Sequence, residues 1–267
     1  MIINNGMEIM AQDAITIRED AGVTFKFSFI RATVIRRVCL MLSLAGLLAG
    51  CAPRITPRAP EEILQAPPDF PEAYYRQAEA SGSKVLRIDS KRSLVTIDVR
   101  RGGSLARLGH DHVVASHNAT GYVDITGGRA DIFVPLDRLA VDEPGLRAWA
   151  GLDTQISDEA IAATRRNMLD KVLESGRFPF AVIRINRGKT DPSTLTVTIT
   201  LHGTLKTFEI PAQIESMPGG LKISGQVTFK QTDFGITPFS ILGGALQVQD
   251  RLDLRFRVIA SKSLSLF

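Results

Sequence analysis

The chain has 267 residues, 44% hydrophobic and 22% charged, a balance that excludes a disordered or fibrous protein and suits a globular domain. Its formal net charge of +4 is spread along the chain without a Lys/Arg block. That excludes a basic nucleic-acid arm and leaves a mildly basic surface, suited to anionic lipid headgroups. Both cysteines, Cys39 and Cys51, lie in the apolar N-terminal region, so the folded part has no disulfide, thiolate metal site or Cys nucleophile.

Residues 38–49 form an apolar run preceded by Arg31, Arg36 and Arg37. A charged stretch before an apolar one is the layout of a secretory signal, and the run is shorter than the roughly 20 residues that span a bilayer. It ends Leu48-Ala49-Gly50-Cys51, which resembles the lipobox of bacterial lipoproteins. The resemblance implies that Cys51 is acylated and anchors the protein to a membrane of the cell envelope, facing the periplasm. Ala52 at the next position implies the outer membrane. A buried apolar helix is the alternative, disfavoured by the Pro-rich tail that follows at once. Residues 1–33 are mixed and polar, with Glu19 and Asp20, where a leader should be short and basic; they read as a start codon placed too early, with translation beginning near Val34.

After Cys51 come Pro53, Pro57, Pro60, Pro67, Pro68 and Pro71. Repeated Pro fixes φ and removes donors, which favours an extended tether. The chain therefore divides into a signal region (1–50), a Pro-rich tether (51–82) and one domain (83–262).

From Lys84 onward the dominant period is two. Val95, Ile97 and Val99 alternate with polar residues, as do Leu195 to Leu201, Leu221 to Phe229 and Leu252 to Val258. One apolar and one polar face predict antiparallel strands around a single interior. Turn signals separate them at Gly102-Gly103, Gly127-Gly128, Asp191-Pro192-Ser193, Pro218-Gly219-Gly220 and Gly243-Gly244. Ser157 to Glu174 breaks the pattern, with Ile161, Met168, Leu169, Val172 and Leu173 at helical spacing, Asp158 and Glu159 in the first turn and Gly176 after the end. The expectation is a mainly β protein: an antiparallel barrel of about eight strands with one or two helices. A sandwich fits the same periodicity.

Four motifs then occur in order: Gly109-His110-Asp111-His112; Asn167-Met168-Leu169 through Arg177-Phe178-Pro179; Leu201-His202-Gly203-Thr204-Leu205-Lys206; and Thr232-Asp233-Phe234-Gly235-Ile236. Together, over roughly Val85 to Ala260, they resemble the YceI-like family. The resemblance implies a lipocalin-like barrel with an apolar lumen and a periplasmic binder of polyisoprenoid or other long amphiphilic chains. Gly-His-Asp-His is typical of a subgroup of that family, and lipid anchoring departs from its usual free form.

The inward row Val197, Ile199, Val227, Phe229, Leu254 and Phe256 is the candidate lining for an alkyl or isoprenoid chain. The same residues can instead pack one another as a solid core, which would make this a structural or interaction lipoprotein. His110 and His112, placed on one strand, would project from one face about 6.5 Å apart. They are candidates for contact with a ligand headgroup, for backbone hydrogen bonds at a barrel mouth, or for a metal completed by His117 or His202. His202-Gly203 reads as a strand-end turn. Asp233-Phe234-Gly235 lacks the companion motifs of a kinase, so Phe234 reads as a barrel cap and Gly235 as a bend. No Gly-x-Ser-x-Gly elbow is present, and no catalytic residue or cofactor is expected. The expected partners are an amphiphilic lipid and a membrane, with no nucleic acid.

Overall fold

A computed structural model describes residues 65–187 and 193–262. The signal region and Cys51 lie outside these residues. The alternating segments form β1 (Val85–Ile88), β2 (Leu94–Gly102), β3 (His112–Ser116), β4 (Thr120–Asp124), β5 (Arg129–Pro135), β6 (Ala140–Val141), β7 (Phe180–Arg187), β8 (Thr194–Leu201), β9 (Thr204–Met217), β10 (Gly220–Lys230), β11 (Ser240–Ile241) and β12 (Leu246–Ser261). β1 and β2 are two halves of one staved strand. A 3₁₀ turn over Ser90–Arg92 breaks it, capped by Asp89, which accepts from the Arg92 N–H at 3.2 Å. β3–β4 and β5–β6 are bent pairs of the same kind, the latter at the 3₁₀ turn Leu136–Arg138.

Counted as staves, eight antiparallel strands follow one another around a ring. β12 pairs with β10 on one side and with β2 and β1 on the other, as in Leu254↔Ile97 and Arg87↔Ser261, and so closes it. Closure decides between the two expected architectures, because a sandwich would leave edges. The barrel is lipocalin-like, as the sequence implies. Two-residue turns join β8 to β9 and β9 to β10. In the first, His202 and Gly203 both take left-handed backbone (φ 50° and 73°), the pattern that matches the strands' own twist.

Three α-helices are present among the described residues, more than the one or two expected. α3 (Asp158–Asn167) is the helix read from the sequence, with the Ser157 hydroxyl accepting from the Ala160 N–H. It runs on as a wide π turn, Met168–Val172. The extra residue per turn keeps Met168, Val172 and Leu173 on the barrel side together. α2 (Pro144–Trp149) packs on β3, and its Trp149 stacks on Arg255 of β12 at 4.3 Å, which pairs with Asp98 of β2 at 2.7 Å.

α1 (Glu72–Ala80) corrects the tether reading, which extended to residue 82. Tyr75 is buried against the outer face of the barrel, stacked on Tyr122 with ring centres 5.0 Å apart, and its hydroxyl donates to Asp131 at 2.7 Å. Phe70 packs edge-on against Phe133 at 4.9 Å. The prolines stop at Pro71, and the amphipathic stretch beyond has an apolar patch to cover. Asp131, with no exposed side-chain surface, also accepts from Arg129 and Arg184.

Candidate functional site

The inward side chains do not meet along the axis. They surround a cavity of about 400 Å³, within the usual range of roughly 300–1,000 Å³ for small-molecule sites. Every strand-borne candidate is in its wall: Val197 and Ile199 from β8, Val227 and Phe229 from β10, Leu254 and Phe256 from β12. The period-two rule places them there, since each points to the same face as its neighbour two residues on. Gly225 leaves room for Phe256 across the β10–β12 pair; a Cβ at Gly225 would lie 2.7 Å from the Phe256 ring. Phe234 is fully buried and packs on Phe229 edge-on at 5.6 Å, while Gly235 takes left-handed backbone (φ 70°). The cap and the bend are therefore as expected.

Met168, Val172 and Leu173 from the end of the helix, Phe239 from the loop before β11 and Ile241 from β11 itself also line the wall. Sequence reading did not name them as lining. The helix's apolar stripe was visible, but nothing in its spacing tells a residue facing a lumen from one facing a packed sheet. Phe239 lies in a loop and Ile241 in a strand of two residues, where periodicity carries no signal.

At one end the wall turns polar. His110, His112 and Arg101 line it there, and among the described residues Arg101 is the one charged side chain in the wall. The β2–β3 loop, which carries His110, is pressed against the loop before β12: Leu105 N–H donates to the Ala245 carbonyl at 2.8 Å, and a Cβ on Gly103 (φ 87°) would lie 2.4 Å from that same oxygen. Only glycine fits such an approach.

His110 precedes β3 instead of sharing a strand with His112, which corrects the expected one-face pairing. The reason lies at Asp111. It accepts from the Arg101 N–H at 2.9 Å and from Arg100 at 3.2 Å, which holds the segment as a loop bonded to the end of β2. His112 meets Asp142 instead, its Nδ1 lying 2.5 Å from the carboxylate. Asp142 has no exposed side-chain surface and sits in left-handed backbone (φ 57°), a conformation a short polar side chain tolerates. Arg147 donates to it at 2.8 Å and the Val113 N–H at 3.0 Å.

Burial pushes the Asp142 carboxyl up, but His112, Arg147 and the Val113 N–H outweigh it and hold the carboxyl below its ordinary value. An ionised Asp142 fixes the His112 proton on Nδ1, which leaves Nε2 as the ring nitrogen His112 can offer the cavity. No sequence pattern pointed to Asp142; β6, which leads to it, is two residues long.

The metal possibility finds no support in the geometry. His117 Nε2 lies 2.8 Å from Glu143 and His202 Nε2 3.2 Å from Glu174, so neither candidate third ligand joins His110 and His112. Among the described residues no group of three or more His, Cys, Asp or Glu side chains is placed to hold a metal ion.

The fold resembles several solved structures. A polyisoprenoid binding domain from Saccharophagus degradans, implicated in plant cell wall breakdown, aligns at TM-score 0.49 and 11% identity, covering 67% of this chain and 99% of that one. Burkholderia cenocepacia BcnA aligns at TM-score 0.45 and 13% identity, covering 65% and 99%. The Campylobacter jejuni YCEI protein aligns at 0.37 and 15%, covering 55% and 81%. No curated protein sequence matches significantly. The sequence pattern of the YceI-like domain matches residues 87–260, more than half of the chain and the whole barrel apart from the start of β1 and its last residue. On that match, the chain belongs to the YceI-like family.

Proposed function

We propose that the barrel binds the tail of a long amphiphile, an isoprenoid or fatty chain, and that the protein sequesters or carries it in the cell envelope, tethered to a membrane through acylated Cys51. The carrying observation is the apolar cavity along the barrel axis, walled by alternate residues of strand after strand. A chain in such a cavity gains about 0.8 kcal/mol per buried methylene before ordering costs, enough for useful affinity without any directed polar contact. Polyisoprenoid binding by the Saccharophagus degradans domain agrees with this ligand class. The role is binding, with no catalytic step, and the candidate ligand contacts are Val197, Ile199, Val227, Phe229, Leu254 and Phe256, with His110 and His112 at the polar end.

Native mass spectrometry of protein purified without added lipid is the direct test. A co-purified chain of a few hundred daltons is the expected result; a uniform apo mass would overturn the reading. The anchor is tested separately, by growing cells with a labelled fatty acid. Label should enter the wild-type chain and vanish in Cys51→Ser, and label retained in the variant would remove Cys51 from its assigned role.

A further inference from the structure

The end of the barrel with the polar rim also collects exposed apolar surface. Among the described residues six large apolar or aromatic side chains are exposed, and four stand on loops or strand ends of this one end: Leu108 (61% exposed), Leu205 (61%), Ile241 (44%) and Leu242 (67%). Strand direction puts them at the same end, because β2 and β10 end here while β9 and β12 begin here. Ile241 is both exposed and part of the cavity wall, so the surface patch is continuous with the lumen.

The charges around it are mainly positive. Arg107, Lys171, Arg177 and Lys206 are exposed at this end, with Lys171 above the ring of Phe239 at 5.7 Å. Of the acids at this end, Asp170 is exposed, Asp111 is held by Arg100 and Arg101, Glu174 meets His202 and Arg177, Asp233 accepts from the Lys230 N–H, and Asp250 accepts from the Thr232 N–H and hydroxyl.

We propose that this rim docks on the surface of an anionic lipid bilayer, so that an amphiphile passes between membrane and lumen without crossing water. The inference rests on the reading of the barrel as an amphiphile binder. Single exposed leucines need no explanation, but apolar side chains gathered at the mouth of an apolar cavity mark an interaction surface. Apolar side chains ringed by cations suit the headgroup boundary, where the first enter the acyl region and the second meet anionic lipid. An amphiphile that left the bilayer through water would expose its whole tail on the way.

The test uses the full chain in a Cys51→Ser background, so that no acyl anchor holds the protein to the vesicle. Vesicles of phosphatidylglycerol and phosphatidylethanolamine carrying a fluorescent fatty acid are mixed with protein, and transfer is followed in time. Docking predicts a transfer rate that rises with vesicle concentration and falls with added salt. Leu108→Ser/Leu242→Ser and Arg107→Glu/Lys171→Glu should each slow transfer by about fivefold or more, the first pair removing the inserting groups and the second the attraction to anionic lipid. Uptake of the same probe added directly in solution should be unchanged in both, as should the melting temperature. A rate independent of vesicle concentration and equal in all three proteins would overturn docking and leave the lumen standing. Failure of every protein to take up the probe directly would overturn the lumen itself. A shift from dimer to monomer in the leucine variant would assign the patch to a second copy of the chain instead.

Discussion

Asp142 and Asp131 are the two carboxylates on which the most structure converges, one behind the polar rim and the other beneath α1. Each is fully buried, and each is tied to arginine. Removing one partner of such a pair strands the other charge. Asp142→Ala should therefore cost about 3–5 kcal/mol, because it leaves Arg147 buried without its anion; urea denaturation of the purified variant measures it. The Asp131 carboxyl is pushed up by burial and pulled down further by Arg129, Tyr75 and Arg184, so it too titrates below its ordinary value. Asp111 behaves likewise, with burial opposed by the Arg101 N–H and Arg100. All three carboxylates thus have folded-state values below the ordinary 3.8. The unfolded chain binds their protons first as pH falls, so their contribution is complete above 3.8 and is lost below it, as pH falls through the folded values. Thermal unfolding followed across pH should show a melting temperature that owes nothing to these groups' titration above pH 5 and drops on further acidification. The drop should be smaller in Asp142→Asn, which has one fewer group to protonate.

Among the elements, α1 has the largest effect on how the chain is divided. It covers Tyr122 and Asp131 on the outside of β4 and β5, with Phe70 just before it on Phe133, so it belongs to the folded unit. Tyr75→Ala should lower stability by about 3–5 kcal/mol, the range for truncating a buried aromatic. Tyr75→Phe keeps the ring and loses only the hydroxyl bond to Asp131, at a cost nearer 1–3 kcal/mol. Two similar values in denaturant titration would mean the helix contributes through its hydroxyl alone. The sequence pattern of α1 is present in Tyr74, Tyr75 and Ala78, but the prolines before it carry the stronger local signal, that of extended chain. Four residues between Phe70 and Tyr75 were enough to change extended chain to docked helix. The π turn after α3 was invisible for a related reason: helical spacing is read at one fixed period, and a single widened turn shifts the face without leaving a motif.

For the whole molecule the decisive property is that a closed ring of eight staves leaves its axis open. A substitution that adds bulk inside tells a lumen from a core. Val227→Trp in a packed interior would cost about 1–3 kcal/mol of strain. In an open one it should leave stability nearly unchanged while cutting the amount of co-purified chain severalfold, with denaturation and native mass spectrometry read on the same sample. Loss of stability with unchanged lipid content would mean the cavity is not where the chain resides.

Alternation of apolar and polar residues from Val95 to Val258 was sufficient by itself to determine an antiparallel β fold, its inward face and the row of side chains from Val197 to Phe256. These follow from the two-residue period of a strand, which is local. Whether that face encloses space, which loop residues complete its wall, and that His112 is held by Asp142 while His110 stands apart were decided by tertiary structure alone. Ring closure, loop packing and a contact thirty residues distant in sequence depend on where separate segments meet, and no local period encodes that.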